Sequence, residues 1–376
     1  MIRLLFAFLL VVHGLIHLIG FTQAWGLSRL AEFSGKTIFP LGEQASKAVG
    51  LLWLVTCLAF LAAAGSFLLK RESWWMIALP VAVVSQLLVI LYWPDAKAGT
   101  AANLLILLVA AVSLANWRFE ESARAEAQTL LEQEADAPAS RLVTTEMLSE
   151  LPPVVRTWLE RANVVGKPFI HTVRLKQRGL MRTKSDGNWM PVEAEQYFTV
   201  DQPGFVWKTQ VRMAPLLEMT GRDLYRDGHG NMTIKLLSLV PVADARGNEV
   251  DQGTLLRYLS EIIWFPTAAL HPYLRWEALD GRSARATMSY GSVTASGTFH
   301  FNEAGDVAGF EARRYMEQNG NYSLETWTTR GDTFKTLSGG IRIPTEGAAT
   351  WKLKSGDFTW FKLTIEALDY NRPVLY

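Results

Sequence analysis

"EVDQGTLLRYLSEIIWFPTAAL", Glu249 to Leu270, is the one strongly helical segment in a long stretch that otherwise reads as β-strands. Leu255, Leu256, Leu259, Ile262 and Ile263 recur at helical spacing and make a broad apolar face. Asp251 or Thr254 is placed to cap the helix. Arg257 and Glu261 are four apart and can pair on the opposite face, in the weaker of the two orders. Pro266 holds the residue before it extended and ends the helix. The expected element is therefore a helix over Thr254–Trp264, either plugging a sheet or closing over something bound inside it.

On both sides of that helix the pattern has a period of two. "HTVRLKQRGLMRT" (His171–Thr183), "FVWKTQVRM" (Phe205–Met213) and "ATWKLKSGDFTWFKLTIEAL" (Ala349–Leu368) are typical. The runs are short and joined by Asp-Gly, Asn-Gly, Ala-Gly and Ser-Gly turns, the hairpin signature. They amount to about ten strands, an antiparallel meander. "LPPVVRTWLERANV" (Leu151–Val164) reads as a short amphipathic helix opening this part, with Pro152 and Pro153 in its first turn. The sequence thus implies a mainly-β domain, a curled antiparallel sheet or half-barrel with one or two plugging helices. No repeat indicates a propeller.

The first third of the chain is different. Four apolar runs, Leu4–Ala24, Ala48–Leu69, Trp74–Trp93 and Ala101–Trp117, each approach the ~20 residues that cross a bilayer core. The first run is not followed by a clean small-x-small cleavage site, which argues against a signal peptide. Trp25, Trp74, Trp75, Trp93 and Trp117 fall at the ends of runs, as an aromatic belt would place them. The expected organisation is a four-helix transmembrane bundle over 1–117, a charged helical linker over 118–144 broken at Pro138, and a soluble β half-barrel over 145–376. Sidedness is not decided by charge. Arg3, Lys70, Arg71, Arg118 and Arg124 would share one side, and Arg29, Lys36, Lys47 and Lys97 the other.

Composition removes several function classes. The 376 residues include 37 basic and 36 acidic ones, so nothing favours a nucleic-acid partner. One cysteine, Cys57, allows no internal disulfide and no thiolate-rich metal site. The oligomeric state is not legible. The chain has neither a G-x-S-x-G nor an H-E-x-x-H pattern, so no catalytic residue, metal or cofactor is assigned. An acid–base reading would need Glu261 with His271 or Arg257. His229 lies at a hairpin tip, and His171 and His300 sit on strands.

Polar residues inside the apolar runs are candidates by default, because they are costly there. His13 and His17 lie on one helix face, and Gly14 between them allows close helix approach. As ligands of a metal or haem they would need partners, with Gln86 and Asp95 the only offers. The alternative is two imidazoles hydrogen-bonding neighbouring helices. In "WPDAKAGTAAN" (Trp93–Asn103), Asp95 and Lys97 can pair, Thr100 can cap the fourth helix and Asn103 needs a partner.

Trp207, Trp264, Phe265, Trp276, Trp327, Trp351, Trp360 and Phe361 are spread over the strands and the helix. They make either a packed core or the walls of an apolar cavity, since two short helices cannot easily fill so wide a curl. In the cavity reading Trp207, Trp264, Phe265 and Trp327 contact a hydrophobic or acyl ligand, with Arg257 and Glu261 anchoring the helix beside it.

"HGLIHLIGF" (His13–Phe21), "SQLLVILYWPDAKAGTAANLLIL" (Ser85–Leu107) and "RYLSEIIWFPTAAL" (Arg257–Leu270) resemble an uncharacterised bacterial family with four N-terminal helices and a β-rich domain of unknown function. Its β-domain resembles the LolA/LolB type of lipoprotein carrier, a curled half-barrel with helices plugging a hydrophobic cavity. The resemblance implies a multi-pass protein of the bacterial cytoplasmic membrane, its β-domain outside the cytoplasm, meeting membrane lipids. It implies lipid or lipoprotein handling, with a lipid-directed enzyme or a protein-interaction module as the other readings. It brings no catalytic residues, and a shared fold does not transfer a function.

Overall fold

The computed structural model describes residues 1–28, 33–134, 141–318 and 320–376. Arg29 and Pro138, used above for sidedness and for the linker break, lie outside these residues. The chain divides into two compact units, Met1–Phe119 and Glu120–Tyr376.

The first unit is helical: α1 (Ile2–Ala24), α2 (Glu43–Leu68), α3 (Trp75–Leu91), the single turn α4 (Trp93–Ala96) and the start of α5 (Gly99–Glu132). Four of its helical segments are long and apolar enough to cross a membrane. Close approach of α1 and α2 depends on glycine. A Cβ on Gly14 would lie 2.9 Å from the Phe60 Cβ, and one on Gly20 2.6 Å from the Trp53 ring. Small residues are how helices pack in lipid, where burying apolar surface gains nothing. Helix α5 then runs unbroken to Glu132, as the Ala/Glu-rich sequence after Trp117 predicts.

The second unit is a sheet of thirteen antiparallel strands among the described residues, in the order β6-β5-β4-β3-β2-β1-β13-β12-β11-β10-β9-β8-β7. β1 (Thr172–Met181) and β13 (Gly356–Tyr370) pair at its centre. Two meanders run outward from there. One ends at the edge strand β6 (Val240–Ala245) and the other at the edge strand β7 (Leu274–Asp280). These two are the strands that period-two reading misses. Most of their residues are exposed, and β6 carries Pro241, so neither shows the in–out alternation of a half-buried strand. The turn before β6 also lacks glycine, with Leu237 and Ser238 at φ of 51° and 55°.

The short helices α6 (Thr145–Ser149) and α7 (Pro153–Arg161) open the unit, and α7 buries Val155, Trp158 and Leu159. Helix α8 (Asn248–Glu261) and two 3-10 turns, Ile262–Trp264 and Pro266–Leu270, connect β6 to β7. The connection between the two edges therefore crosses the hollow of the sheet. Helix α8 packs on β4 (Leu217–Arg226) and β5 (His229–Leu236) of one arm and on β9 (Val293–Phe301) and β10 (Val307–Gln318) of the other. The arms meet at their hairpin tips, where a Cβ on Gly228 would lie 3.1 Å from the Gly291 Cα. Both glycines have positive φ, 82° and 61°, so each position favours glycine twice over.

Helix α8 begins earlier than its sequence suggests. Gly247, at φ 112°, turns the chain into it, and neither Asp251 nor Thr254 is its cap. Asp251 instead accepts from the Gly230 backbone N–H at 2.6 Å and meets His229 Nδ1 at 3.1 Å, tying the helix to β5. Residues at the end of α5 also belong to this unit. Ala127, Leu130 and Leu131 pack on Tyr197 and Val206, and Glu126 pairs with Arg222 at 2.9 Å.

Candidate functional site: a cavity beneath helix α8

One face of α8 is core. Leu255, Leu256 and Leu259 are fully buried with Phe198, Phe205 and Tyr225. Tyr258 on the same helix donates to the Thr199 carbonyl at 2.9 Å. Phe265 belongs here as well, 4.8 Å from Phe198 between ring centres and fully buried. Phe265 therefore holds the plug in place and is not among the residues lining the cavity.

The other face carries Arg257 and Glu261, and beneath it lies a cavity of about 750 Å³. Ligand sites run to ~300–1,000 Å³. Trp207, Trp264 and Trp327 line it with Arg257 and Glu261, so five of the six ligand residues read from sequence are brought together. Register explains the walls. Trp327 on β11 (Asn321–Thr336) pairs with Trp351 on β12 (Arg342–Leu353), and Trp351 pairs with Phe358 on β13, so three aromatics form one rung on one face. A bulge between Ala349 and Thr350 slips β13 by one residue at Trp360. Trp360 and Phe361, neighbours in sequence, consequently stack at 5.5 Å, and both border the cavity.

A second rung supplies polarity. Gln196 on β2 (Met190–Thr199), Trp207 on β3 (Gly204–Ala214) and Asp223 on β4 lie directly opposite one another. Arg257 Nε donates to Glu261 at 3.0 Å, and its terminal nitrogen reaches Asp223. Glu261 accepts from Gln196 Nε2 at 2.8 Å, and the Trp207 indole donates to Gln177 at 2.9 Å. The Arg257 guanidinium also stacks 4.5 Å over Trp207. Burial pushes the Glu261 carboxyl up against the pull of Arg257 and Gln196. The pair thus fastens helix to sheet on both sides. His271, the other half of the acid–base reading, meets Asp201 at 3.2 Å instead.

Sequence reasoning missed Arg314. It lies on β10 two residues from Ala312, which pairs with Trp327, so its side chain shares that face. Its Nε donates to the Gly253 carbonyl at 3.1 Å, and its guanidinium lies 4.6 Å over the Trp327 ring. Burial first, and Arg257 beside it second, pull its pKa down to about 10. An arginine in a strand among other charged residues carries no sequence signal of this.

In the helical unit, His13, His17, Gln86 and Asn103 join one hydrogen-bonded chain with Ser85 and Thr100. His17 Nδ1 is 2.7 Å from the His13 carbonyl, and its Nε2 is 2.8 Å from Ser85 Oγ. His13 Nε2 lies 2.8 Å from Asn103 Oδ1, Asn103 donates to Gln86 at 3.1 Å, and Gln86 donates to Thr100 at 3.2 Å. Every link has a donor and an acceptor with both imidazoles neutral. Thr100 is thus an acceptor for Gln86. Asp95 does not pair with Lys97; it accepts from Ser34 Oγ at 3.0 Å and from the Gly35 N–H at 2.8 Å, which occupies its carboxylate.

Glu134, His171 and Asp201 bring ligand-type atoms within 4.8 Å of one another, the arrangement a metal ion would need. They are far apart in sequence, so no motif announces them. Each already has a partner: His171 Nδ1 lies 2.7 Å from Asp201, and Glu134 accepts the Gln202 N–H at 2.7 Å.

A family model described as a family of unknown function, DUF6544, matches residues 141–363. The curated proteins offer no match. Three solved structures are similar. A putative outer membrane lipoprotein-sorting protein domain from Vibrio parahaemolyticus has 11% identity over 55% of this chain and 87% of its own, with a TM-score of 0.34. A porin-like protein from Bacteroides uniformis has 11% identity over 53% and 96%, at 0.21. A β-barrel-like protein of a domain of unknown function, DUF1849, from Brucella abortus has 9% identity over 54% and 99%, at 0.23. Scores of this size carry no argument, and the curled sheet stands on its own strand order.

Proposed function

The chain belongs to DUF6544, a family whose function is unknown, and from that premise we propose that it is a multi-pass membrane protein whose β unit holds a hydrophobic ligand beneath α8. The observation that carries this is the cavity: about 750 Å³, walled by Trp207, Trp264, Trp327, Trp351, Trp360 and Phe361. So much indole surface around an unfilled space favours a long apolar ligand over a packed core. The four apolar helices support residence in a membrane, and a lipid or acyl chain is the ligand most abundant there. We place the protein in a bacterial cytoplasmic membrane with the β unit outside the cytoplasm, a placement a reporter fused at Tyr376 tests.

A lipid-directed enzyme calls for polar groups converging in the cavity, and Arg257, Glu261, Asp223 and Arg314 do converge. Three of them are bonded to one another, and the nearby Ser260 hydroxyl is donated to the Arg257 carbonyl. This favours binding over turnover.

The test is purification of the full chain and mass spectrometry of what it retains. Acyl-chain lipids should co-purify, and the stripped protein should take up an acyl probe. A protein that carries no lipid and takes up no probe would remove the proposal.

A further inference from the structure

A charged group shut away from water is costly unless it is paired. The cavity obeys this rule at Arg257, which has Asp223 and Glu261. Arg314, half-buried on the wall of the same cavity, has no such partner among the described residues. Of its nitrogens only Nε makes a hydrogen bond to any of them, to the Gly253 carbonyl. The guanidinium carbon lies 4.6 Å from the centre of the Trp327 ring and 5.9 Å from that of Trp351. The N–H groups of its two terminal nitrogens remain. Gly253 of helix α8 lies against it, where a Cβ would stand 3.4 Å from Arg314 Nε, an ordinary contact.

Arg314 is not the only unused donor. Among the described residues the Trp327 indole N–H is buried without a partner, and so is that of Trp360. Both rings border the cavity. Three side chains thus offer N–H groups that nothing among the described residues accepts, in a cavity whose wall combines aromatic rings with charged side chains of both signs. A guanidinium with free terminal nitrogens matches the paired oxygens of a carboxylate or phosphate. Indole N–H groups, donors only, favour the same partner.

Resting on the reading of this cavity as a ligand site, we infer that its occupant is an amphiphile with an acidic head, a carboxylate or phosphate, seated on Arg314 with Trp327 beside it. The tail runs along the aromatic rungs, and the Arg257–Glu261 pair, already satisfied, forms the wall.

The experiment uses the full chain in phosphatidylcholine nanodiscs. Palmitate carrying a diazirine at its tail is compared with the corresponding alcohol, and cross-links are mapped to peptides of β10 to β13. Palmitate should label them about tenfold more than the alcohol. Arg314→Met should bring palmitate down to the alcohol's level, and Arg314→Lys should keep part of the preference. Unlabelled hexadecyl phosphate should displace the palmitate, and millimolar inorganic phosphate should not. Equal labelling by acid and alcohol overturns the acidic head while leaving the apolar cavity intact. Labelling by neither removes both. Displacement by inorganic phosphate as good as by hexadecyl phosphate assigns the site to a free anion and overturns the amphiphile. Should Arg314→Met fail to fold, the acid-to-alcohol ratios of the wild type and Arg314→Lys decide.

Discussion

Each unit of this protein buries a polar cluster, and the two clusters differ in one respect. In the helical unit the chain from His17 through Ser85, His13, Asn103 and Gln86 to Thr100 gives each member a partner. In the β unit the cluster around Arg257 is satisfied, but among the described residues Arg314 and the Trp327 and Trp360 indoles that line the same cavity are not. The first arrangement glues helices together. The second leaves hydrogen bonds for something else to make. An unpaired indole alone would not say so, since Trp53 and Trp75 in the helical unit also lack partners. What sets Trp327 apart is the guanidinium on its ring and the cavity below.

The sharpest way to break this comparison is to make one change at both cavity arginines. Arg257→Met removes the shared partner of Asp223 and Glu261 and leaves two carboxylates buried without a cation. Loss of one member of a buried ion pair typically costs about 3–5 kcal/mol. The β unit of the full chain, followed by its sheet circular dichroism in a denaturant titration, should lose stability on that scale. A loss under about 1 kcal/mol would mean the cluster is not holding α8 to the sheet.

The group around Asp201 sharpens the comparison through pH, because burial favours the protonated form of one of its carboxyls, Glu134. Burial lifts Glu134 from 4.5 to about 7, opposed by the Gln202 N–H and aided by the Asp201 carboxylate. A folded-state value above the unfolded one means that the native state holds the extra proton between those pH values. Its contribution is therefore fully present below pH 4.5 and lost as pH rises through 7. A shift of that size corresponds to roughly 3 kcal/mol. Glu134→Gln should remove that fall, leaving a variant more stable than the wild type at pH 8 and nearly equal to it at pH 4.5. Parallel pH profiles for the two proteins would sink the assignment.

How much of this was legible depends on whether a residue's role is set by its neighbours in sequence or by strands far away. The apolar runs, the period-two pattern and the Leu/Ile face of α8 are local, and they give the four helices, the sheet and the plug. The edge strands β6 and β7 escaped because exposed strands lose their alternation. Among site residues, Arg257 and Glu261 show themselves by helical spacing. Arg314, Asp223 and Gln196 do not, because only strand register and the curl bring β10, β4 and β2 around one cavity. Phe265 was misjudged for the same reason: which side of the plug a residue faces is set by how the two 3-10 turns dock.

Back in the helical unit, Asn103→Leu removes the acceptor of His13 and the donor to Gln86 at once. Interhelical hydrogen bonds in membranes are worth ~0.6–2 kcal/mol each. The helices should lose about 1–2 kcal/mol in an SDS titration of the full chain. No measurable loss would show that the chain of polar groups is not glue, and the contrast with the cavity would weaken.

The smallest effect is expected where sequence intuition would place a large one. Arg314→Met deletes a charge from the middle of the β unit, yet it breaks no ion pair among the described residues. It gives up a stacking contact with Trp327, worth ~0.5–2 kcal/mol, and one hydrogen bond to Gly253. Against this it removes a half-buried cation whose pKa burial first, and Arg257 second, lower to about 10. The two should offset to within about 1 kcal/mol. The stripped variant should therefore unfold at nearly the wild-type denaturant midpoint, while Arg257→Met does not. Equal losses from the two substitutions would mean that Arg314 is as fully engaged by its own chain as Arg257, and that the cavity has no vacant donor to offer.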